Sequence, residues 1–140
     1  MARVKIALPA TFRFTTVLPV RITDLNYGGH LGNDALLSLL HEVRVQFLAS
    51  LGEREVDPAT QLGFIMADVA IEYKAEAFYG DVLHVEVGTN DLTKYGFDII
   101  YQVKNQHDRL IALAKTGMLC FDYNTRKLRG VPPELVARLS

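Results

Sequence analysis

The sequence predicts an α+β fold in which an antiparallel sheet packs against one long helix, and its segment order carries that prediction. One strand-like segment near the N-terminus is followed by a single long apolar helix. Four strand-like segments then follow in direct succession, joined by short turns. Such strands pair antiparallel, whereas a parallel sheet needs a crossover helix between its strands. The order therefore argues against a doubly wound nucleotide-binding domain and favours a helix lying across one apolar sheet face.

The first strand is expected between about Lys5 and Ile22. Its central run, TFRFTTVLPVRI, is rich in β-branched and aromatic residues, which favour extended backbone. Pro19 lacks the N–H that a ladder hydrogen bond needs, so we expect the strand to be interrupted there.

The long helix is predicted within NDALLSLLHEVRVQFLASLG. Apolar residues recur there at helical spacing and should form its packed stripe, with two more widening it: Leu36, Leu40, Val43, Phe47 and Leu51, then Leu37 and Leu48. Asn33 or Asp34 is the expected N-cap. Gly52 is the expected end of the helix, because glycine readily adopts the left-handed backbone of a C-terminal cap.

The second strand shows a period of two, which indicates a half-buried strand. Its apolar members, expected on the core face, are Ile65, Ala67, Val69, Ile71, Tyr73 and Ala75. The turn Tyr79-Gly80-Asp81 leads into a third strand, VLHVEVGTN, and the turn Tyr95-Gly96 into a fourth. A fifth strand runs through LIALAKTGMLCFDY, and PPELVARLS predicts a short final helix beginning at Pro132 or Pro133.

A curved antiparallel five-stranded sheet wrapped around one long central helix is the hotdog fold, and residues 1–140 suit a single domain of that kind. The composition is that of a soluble globular protein, with 49% hydrophobic and 22% charged residues. The net charge of −1 gives no reason to expect a nucleic acid or a membrane surface as partner. One cysteine excludes an internal disulfide framework, and the N-terminus MARVKIALPATF lacks the apolar core of a signal peptide. We therefore expect a cytoplasmic protein.

Residues 24–33, DLNYGGHLGN, concentrate polar groups and glycines at the junction between the first strand and the helix. Glycine in such a position usually serves a positive φ or a close approach of another group to the backbone. The helix that follows presents unpaired N–H groups and the positive end of its dipole, which would polarise a carbonyl oxygen. The other reading of this loop is a glycine-rich turn in which Asp24 and Asn33 cap the backbone.

The string RITDLNYGGHLGN, followed by HEVRVQFL in the helix, resembles the 4-hydroxybenzoyl-CoA thioesterase family of hotdog proteins. Members typically show a D-x-D-x-x-G-H-x-N-N loop before a helix with a Glu-x-Ala-Arg-like segment. IEYKAEAFYGDVLHVEVG is similar to the family's later strand, turn and strand signature. The resemblance runs from about Arg21 to Phe121. It implies an acyl-CoA thioesterase that hydrolyses its substrate to free acid and CoA.

The resemblance also implies roles for loop residues. Asp24 corresponds to the first acid of the motif, and the amide that polarises the thioester carbonyl falls near Asn33. The second acid, which in this family commonly attacks the thioester or activates water, falls on Asn26. An amide cannot act as a carboxylate base, although it could orient a water or the carbonyl. We expect the substrate to contact the loop at four further positions: Tyr27, Gly28, Gly29 and Gly32.

The departure at Asn26 leaves three readings open. Asp24 could have taken over the work of the missing acid, or Glu42 or His30 could supply the base. The third reading is a protein that binds acyl thioesters without hydrolysing them efficiently. Glu42 lies on the polar stripe of the helix, which could face a cleft between subunits or simply solvent. His30 could organise the loop through a hydrogen bond or move a proton itself.

No tightly bound cofactor is implied, and the four histidines show no metal-ligand spacing. The expected partner is an acyl-CoA, or an acyl group on a carrier protein, and the fold implies a homodimer or homotetramer that covers exposed sheet edges. A hotdog hydratase or dehydratase is a rival, but five residues separate Asp24 from His30 where that motif would have four.

Overall fold

The computed structural model describes residues 3–140 of the chain. Its strands are β1 (Phe14–Pro19), β2 (Leu62–Tyr73), β3 (Val82–Asn90), β4 (Gly96–Lys104), β5 (Leu110–Asp122) and β6 (Lys127–Leu128). The helices are α1 (Asn33–Ser50) and α2 (Pro133–Leu139), and a 3-10 turn covers Ile22–Asp24. The short final helix therefore begins where proline was expected to start it, with Pro132 as N-cap.

The strands form one antiparallel sheet in the order β1-β3-β4-β5-β2. The hotdog arrangement expected from the sequence is confirmed, but the expected number of strands is wrong because the sheet has six. The additional strand, β6, contains two residues and pairs with the end of β5, where Phe121 faces Leu128. A pair this short leaves no hydrophobic period in a sequence, so the pattern could not reveal it.

The core lies between α1 and the sheet. The helix contributes Leu36, Leu40, Val43, Phe47 and Leu48, and the sheet contributes Val87, Ile99, Tyr101, Val103 and Ala114, all at most 3% exposed. Burying a large apolar side chain stabilises the fold by about 1.5–3 kcal/mol. Two details of the expected stripe are wrong, because Leu37 is exposed and Leu51 is only partly buried, while Leu39 is buried instead. The buried face of α1 is therefore wider than one stripe.

The start of α1 differs from the expectation. Gly32, not Asn33 or Asp34, is the N-cap, and it has no side chain to cap the helix. The end agrees better, since Gly52 adopts a φ of +76° immediately after the C-cap Leu51. The first turn of α1 therefore keeps its backbone N–H groups free of a capping side chain.

The prediction of which β2 residues lie on the core face is only partly correct. A bulge between Met66 and Asp68 shifts the pairing with β5, so the simple alternation breaks in the middle of the strand. Ala67, Val69 and Tyr73, which were expected in the core, are exposed. Phe64, before the bulge, is buried. The strand lies at the edge of the sheet, where one ladder is missing and a bulge is readily accommodated.

The N-terminal strand is shorter than predicted, because β1 begins at Phe14 and not near Lys5. The preceding segment is instead fastened to two other strands. The Ile6 N–H donates to Glu72 Oε2 of β2 at 2.7 Å, and the side-chain amide of Asn90 in β3 donates to the Ala7 carbonyl at 3.0 Å. The sequence of this segment favours extended backbone, as predicted. Its backbone groups nevertheless form hydrogen bonds with side chains and do not pair as a strand.

Cys120 is fully buried in the core, and burial raises the pKa of its thiol to about 11. That environment is typical of a small residue packed in a core. Among residues 3–140, neither helix combines the length and the apolar character required to cross a membrane.

Candidate active site

The loop between the 3-10 turn and α1 is closed by its own backbone. Leu25 and Leu31 form an isolated antiparallel bridge, and the Asn26 N–H donates to the His30 carbonyl at 2.9 Å. The Gly32 N–H donates to the Asp24 carbonyl at 3.0 Å. Gly29 lies at the tip with a φ of +81°, which explains the need for glycine there. The loop is thus a compact hairpin that ends at the first turn of α1.

Asp24 is buried at the base of this hairpin and is fully engaged by Arg21. Its Oδ2 accepts from the Arg21 backbone N–H at 2.8 Å, and its Oδ1 accepts from the Arg21 guanidinium at 3.0 Å. The hydrogen bond from the guanidinium outweighs burial and lowers the pKa of the Asp24 carboxyl. Asp24 therefore stays ionised and holds the start of the loop.

Asn26, which stands where the resembling family has its second acid, also serves the loop. Its side-chain oxygen accepts from the Gly28 N–H at 2.8 Å, the geometry of an Asx turn. This hydrogen bond uses the amide oxygen inside the hairpin. Tyr27 and Gly28, next to it, are exposed and do not line the cavity described below.

The N-terminus of α1 forms one wall of a cavity of about 260 Å³. The first intrahelical hydrogen bond is donated by Leu36 to the Gly32 carbonyl. The N–H groups of Asn33, Asp34 and Ala35 therefore have no intrahelical acceptor, as at the start of any α-helix. Gly32 and Asn33 line the cavity. A carbonyl oxygen bound there would meet the unpaired N–H groups of the first turn. It would also meet the positive end of the helix dipole.

The opposite wall is formed by the end of β2 and the segment that leaves it. Tyr73, Lys74 and Glu76 supply its polar groups, and Ile111 and Ala77 supply apolar surface. The Tyr73 hydroxyl lies 3.5 Å from the Asn33 carbonyl oxygen. Partial burial and the Asp34 carboxylate raise the pKa of Tyr73, so its hydroxyl remains protonated at neutral pH. The cavity thus combines an apolar surface with a small number of converging polar groups.

His30 lies between the hairpin and this wall. Its Nδ1 is 3.4 Å from the Leu31 carbonyl oxygen, and its Nε2 is 3.9 Å from Glu76 Oε1. His30 lines the cavity, as does Glu76. The structure therefore brings His30, Gly32 and Asn33 together out of the residues expected from the sequence.

Glu42 lies elsewhere. It is exposed on α1, accepts a hydrogen bond of 2.8 Å from the Gln46 side chain, and does not line the cavity. Gly29 also lies outside the lining, at the tip of the hairpin.

Sequence reasoning missed Lys74 and Glu76 as lining residues. Tyr73 was assigned to the core face by the alternation of β2, and Glu76 was not singled out at all. Residues 30 and 76 are far apart in the chain, so no local spacing links them. The signal within reach was the string IEYKAEAFYGD, which places an acid where β2 ends.

Residues 20–139 match the sequence profile of the thioesterase-like superfamily. The chain is similar to a 1,4-dihydroxy-2-naphthoyl-CoA hydrolase of Synechococcus elongatus, with 26% identity over 90% of this chain and 93% of that protein. A hydrolase of the same name from Acaryochloris marina is 29% identical over 84% of this chain and 88% of its own length. A crystal structure of a 1,4-dihydroxy-2-naphthoyl-CoA thioesterase from Synechocystis superposes with a TM-score of 0.81 at 21% identity, covering 90% and 94% of the two chains.

Proposed function

Because the chain belongs to the thioesterase-like superfamily and is an acyl-CoA thioesterase, we propose that it hydrolyses a compact aromatic acyl-CoA in the cavity at the N-terminus of α1. The family and the reaction class expected from the sequence are thereby confirmed. The acyl group and the residue roles below are the proposal.

The observation that carries the proposal is the junction of the cavity with the first turn of α1. Gly32 has no side chain to cap this turn, so nothing on the N-cap competes with a substrate for the N–H groups. Attack on a thioester places negative charge on the carbonyl oxygen. A donor already aimed at that oxygen can be worth about 2.7–4 kcal/mol in the transition state. We assign this role to the backbone N–H of Asn33.

The size of the cavity supports a compact acyl group. Its volume of about 260 Å³ lies just below the roughly 300–1,000 Å³ of pockets for drug-sized ligands. Leu36 and Ile111 contribute apolar walls, and Tyr73 contributes an aromatic ring. A planar aromatic acyl group would gain from contact with that ring. The relatives named 1,4-dihydroxy-2-naphthoyl-CoA hydrolases agree with an aromatic substrate.

The hairpin residues take positioning roles in this assignment. Asp24 fixes the base of the loop through Arg21, Asn26 shapes the turn through Gly28, and both hold Gly32 and Asn33 beside the cavity. His30 is the titratable hairpin residue among those that line the cavity. The contacts of Asp24 and Glu42 lend no support to either as the group that activates water.

We also propose that the active form is at least a homodimer joined through β2. This strand is twelve residues long and lies at an edge of the sheet. Met66, Val69 and Tyr73 are exposed along it. An unpaired strand edge of this length invites pairing with a second copy, which would bring the partner close to Tyr73 and the cavity.

The test is thiol release from a panel of acyl-CoAs by the purified chain. The panel contains 1,4-dihydroxy-2-naphthoyl-CoA, 4-hydroxybenzoyl-CoA, a short aliphatic acyl-CoA and a long one. We expect kcat/KM to be highest for the two aromatic substrates. A preference of about tenfold or more for the long aliphatic substrate would contradict the proposed acyl group.

A further inference from the structure

The hydrolysis requires a group that accepts a proton from the attacking water, and the acids expected to do this are engaged elsewhere. Both oxygens of Asp24 accept hydrogen bonds from Arg21. The Asn26 amide oxygen accepts from Gly28, and Glu42 lies outside the cavity. The remaining candidates among the groups that line the cavity are His30 and Glu76, which lies on the wall opposite the helix N-terminus.

Glu76 is the only carboxylate among the described residues that line the cavity. The backbone on both sides of it is fixed. The Leu31 N–H donates to the Ala77 carbonyl at 2.8 Å, and the N–H groups of Lys74 and Ala75 donate to the Ile111 carbonyl at 2.8 and 3.2 Å. The Glu76 side chain itself is 62% exposed. A rigid backbone thus presents a carboxylate that solvent and substrate can reach.

His30 provides a second acceptor beside this carboxylate. The Leu31 carbonyl can only accept, so its contact with His30 Nδ1 is a hydrogen bond when the proton is on Nδ1. That tautomer leaves a lone pair on Nε2. The 3.9 Å between Nε2 and Glu76 Oε1 is too long for a direct hydrogen bond. One water could donate a hydrogen to each acceptor at the usual length of about 2.8 Å.

We propose that Glu76 is the general base of this thioesterase and that His30 positions the attacking water beside it. The inference rests on the proposed function of the cavity. Glu76, just after the end of β2, supplies the carboxylate that the hairpin lacks at Asn26.

The step balances with these groups alone. The water oxygen forms a bond to the thioester carbon while one of its protons passes to the Glu76 carboxylate, and the carbonyl oxygen becomes negative beside the Asn33 N–H. The intermediate then collapses, the C–S bond breaks, and the CoA sulfur leaves with the electron pair. Glu76 returns the proton to that sulfur. One water is consumed, and the products are the free acid and CoA with its thiol.

The experiment compares Glu76→Gln, Glu76→Asp and the control Glu86→Gln with the wild-type chain. Glu86 lies on β3, accepts a hydrogen bond from Gln102 and does not line the cavity. The assay uses the acyl-CoA of the panel that the wild-type chain turns over fastest. A preference for an aliphatic substrate would then overturn the proposed acyl group and leave the test of Glu76 intact.

We expect Glu76→Gln to lower kcat about 100-fold or more, in the range of general-base catalysis, with KM changed less than about threefold. Glu76→Asp should retain more activity than Glu76→Gln, and Glu86→Gln should match the wild type. Hydroxylamine attacks thioesters without a base. It should therefore raise thiol release by Glu76→Gln by a larger factor than it raises release by the wild type.

Two results would overturn the inference. One is a Glu76→Gln variant that keeps kcat within about threefold of the wild type. The other is a loss that is equal in Glu76→Gln and Glu76→Asp, is accompanied by a matching rise in KM and does not respond to hydroxylamine. The second pattern would mean that Glu76 shapes the site without taking the proton.

Discussion

Arg44 of α1 donates a 2.7 Å hydrogen bond from Nε to Glu55 Oε1, in the segment between α1 and β2. The Arg44 side chain is 9% exposed and the Glu55 side chain 31% exposed. Burial raises the pKa of the Glu55 carboxyl, but the hydrogen bonds from Arg44 and His41 outweigh it, and the pKa is lowered overall. This pair fastens the middle of the central helix to the chain that leads into the edge strand.

The first prediction concerns this ion pair. Arg44→Met should lower the free energy of unfolding by about 1–3 kcal/mol, because it leaves a partly buried carboxylate without its partner. The exposure of Glu55 keeps the loss below that of a fully buried pair. Denaturant unfolding of Arg44→Met, Glu55→Gln and the double variant measures it. The double variant should lose less than the sum of the two single losses, and strict additivity would contradict the proposed coupling.

The second prediction concerns Asp24 and acid. Its folded pKa is lowered by Arg21, so its contribution to stability is present above the unfolded pKa of about 3.9 and is lost as pH falls through the folded value. Asp24→Asn should lower the free energy of unfolding by about 1.5–3 kcal/mol at neutral pH, because a buried hydrogen bond to a charged group is lost. Unfolding measured from pH 7 down to pH 2 checks both statements.

In that series the difference between the wild type and Asp24→Asn should shrink as pH falls below about 4. Asp122→Asn is a matched control, because Asp122 also has a lowered pKa but is the last residue of β5, far along the chain from the hairpin. In the thiol-release assay, Asp122→Asn should keep the kcat of the wild type. A constant difference between the wild type and Asp24→Asn at every pH would exclude an ionised Asp24 as the stabilising group.

The third prediction concerns the hairpin tip. Gly29 has a φ of +81°, and a Cβ built there would meet no atom within 4 Å. Gly29→Ala should therefore destabilise the protein by about 1–2 kcal/mol through backbone strain alone. Gly29→Asn should cost less, because asparagine tolerates left-handed backbone better. Thermal unfolding of both variants decides this, and equal losses would mean that the side chain meets an obstacle.

The fourth prediction concerns the aromatic wall of the cavity. Tyr73 is 52% exposed, so Tyr73→Ala should change stability little. Loss of the ring should raise KM for an aromatic acyl-CoA by about two- to tenfold, since aromatic pairs contribute about 0.5–1.5 kcal/mol. Tyr73→Phe should keep the low KM. Steady-state kinetics on the three proteins test it, and a raised KM in Tyr73→Phe would assign the effect to the hydroxyl.

The fifth prediction concerns the sheet edge. Val69→Lys on β2 should shift the proposed dimer toward monomer, because a charge on an edge strand opposes pairing with a second copy. Val17→Lys is the matched control, since Val17 is similarly exposed on β1 at the other edge of the sheet. Light scattering across a concentration series gives the mass. Dissociation by Val17→Lys but not by Val69→Lys would move the interface to β1.

Much of the fold could be read from local patterns. The period of α1, the run of strands and the short turns determined an antiparallel sheet with one central helix, and glycine marked both the end of α1 at Gly52 and the turn at Gly80. Local patterns were misleading in β2. The bulge after Met66 shifts the later residues of β2 out of the simple alternation. A bulge depends on how the strand pairs with its neighbour β5, and the sequence of β2 alone does not show it.

The candidate site divides in the same way. The motif drew attention to the hairpin, and the structure agrees that His30, Gly32 and Asn33 meet at the start of α1. The motif could not say that Asp24 would be occupied by Arg21 or that Glu76 would face His30. Those relations depend on side-chain hydrogen bonds and on two segments of the sheet and loop that meet only after folding.

By itself, then, the sequence determined the layers of the fold, because hydrophobic periods and glycine positions act over a few residues. Its motif resemblance also indicated the family and drew attention to the loop before α1. Only the tertiary structure decided which acid lines the cavity. That choice depends on where Arg21 places its donors and on the contact between Leu31 and Ala77, which sets the exit of β2 beside the hairpin.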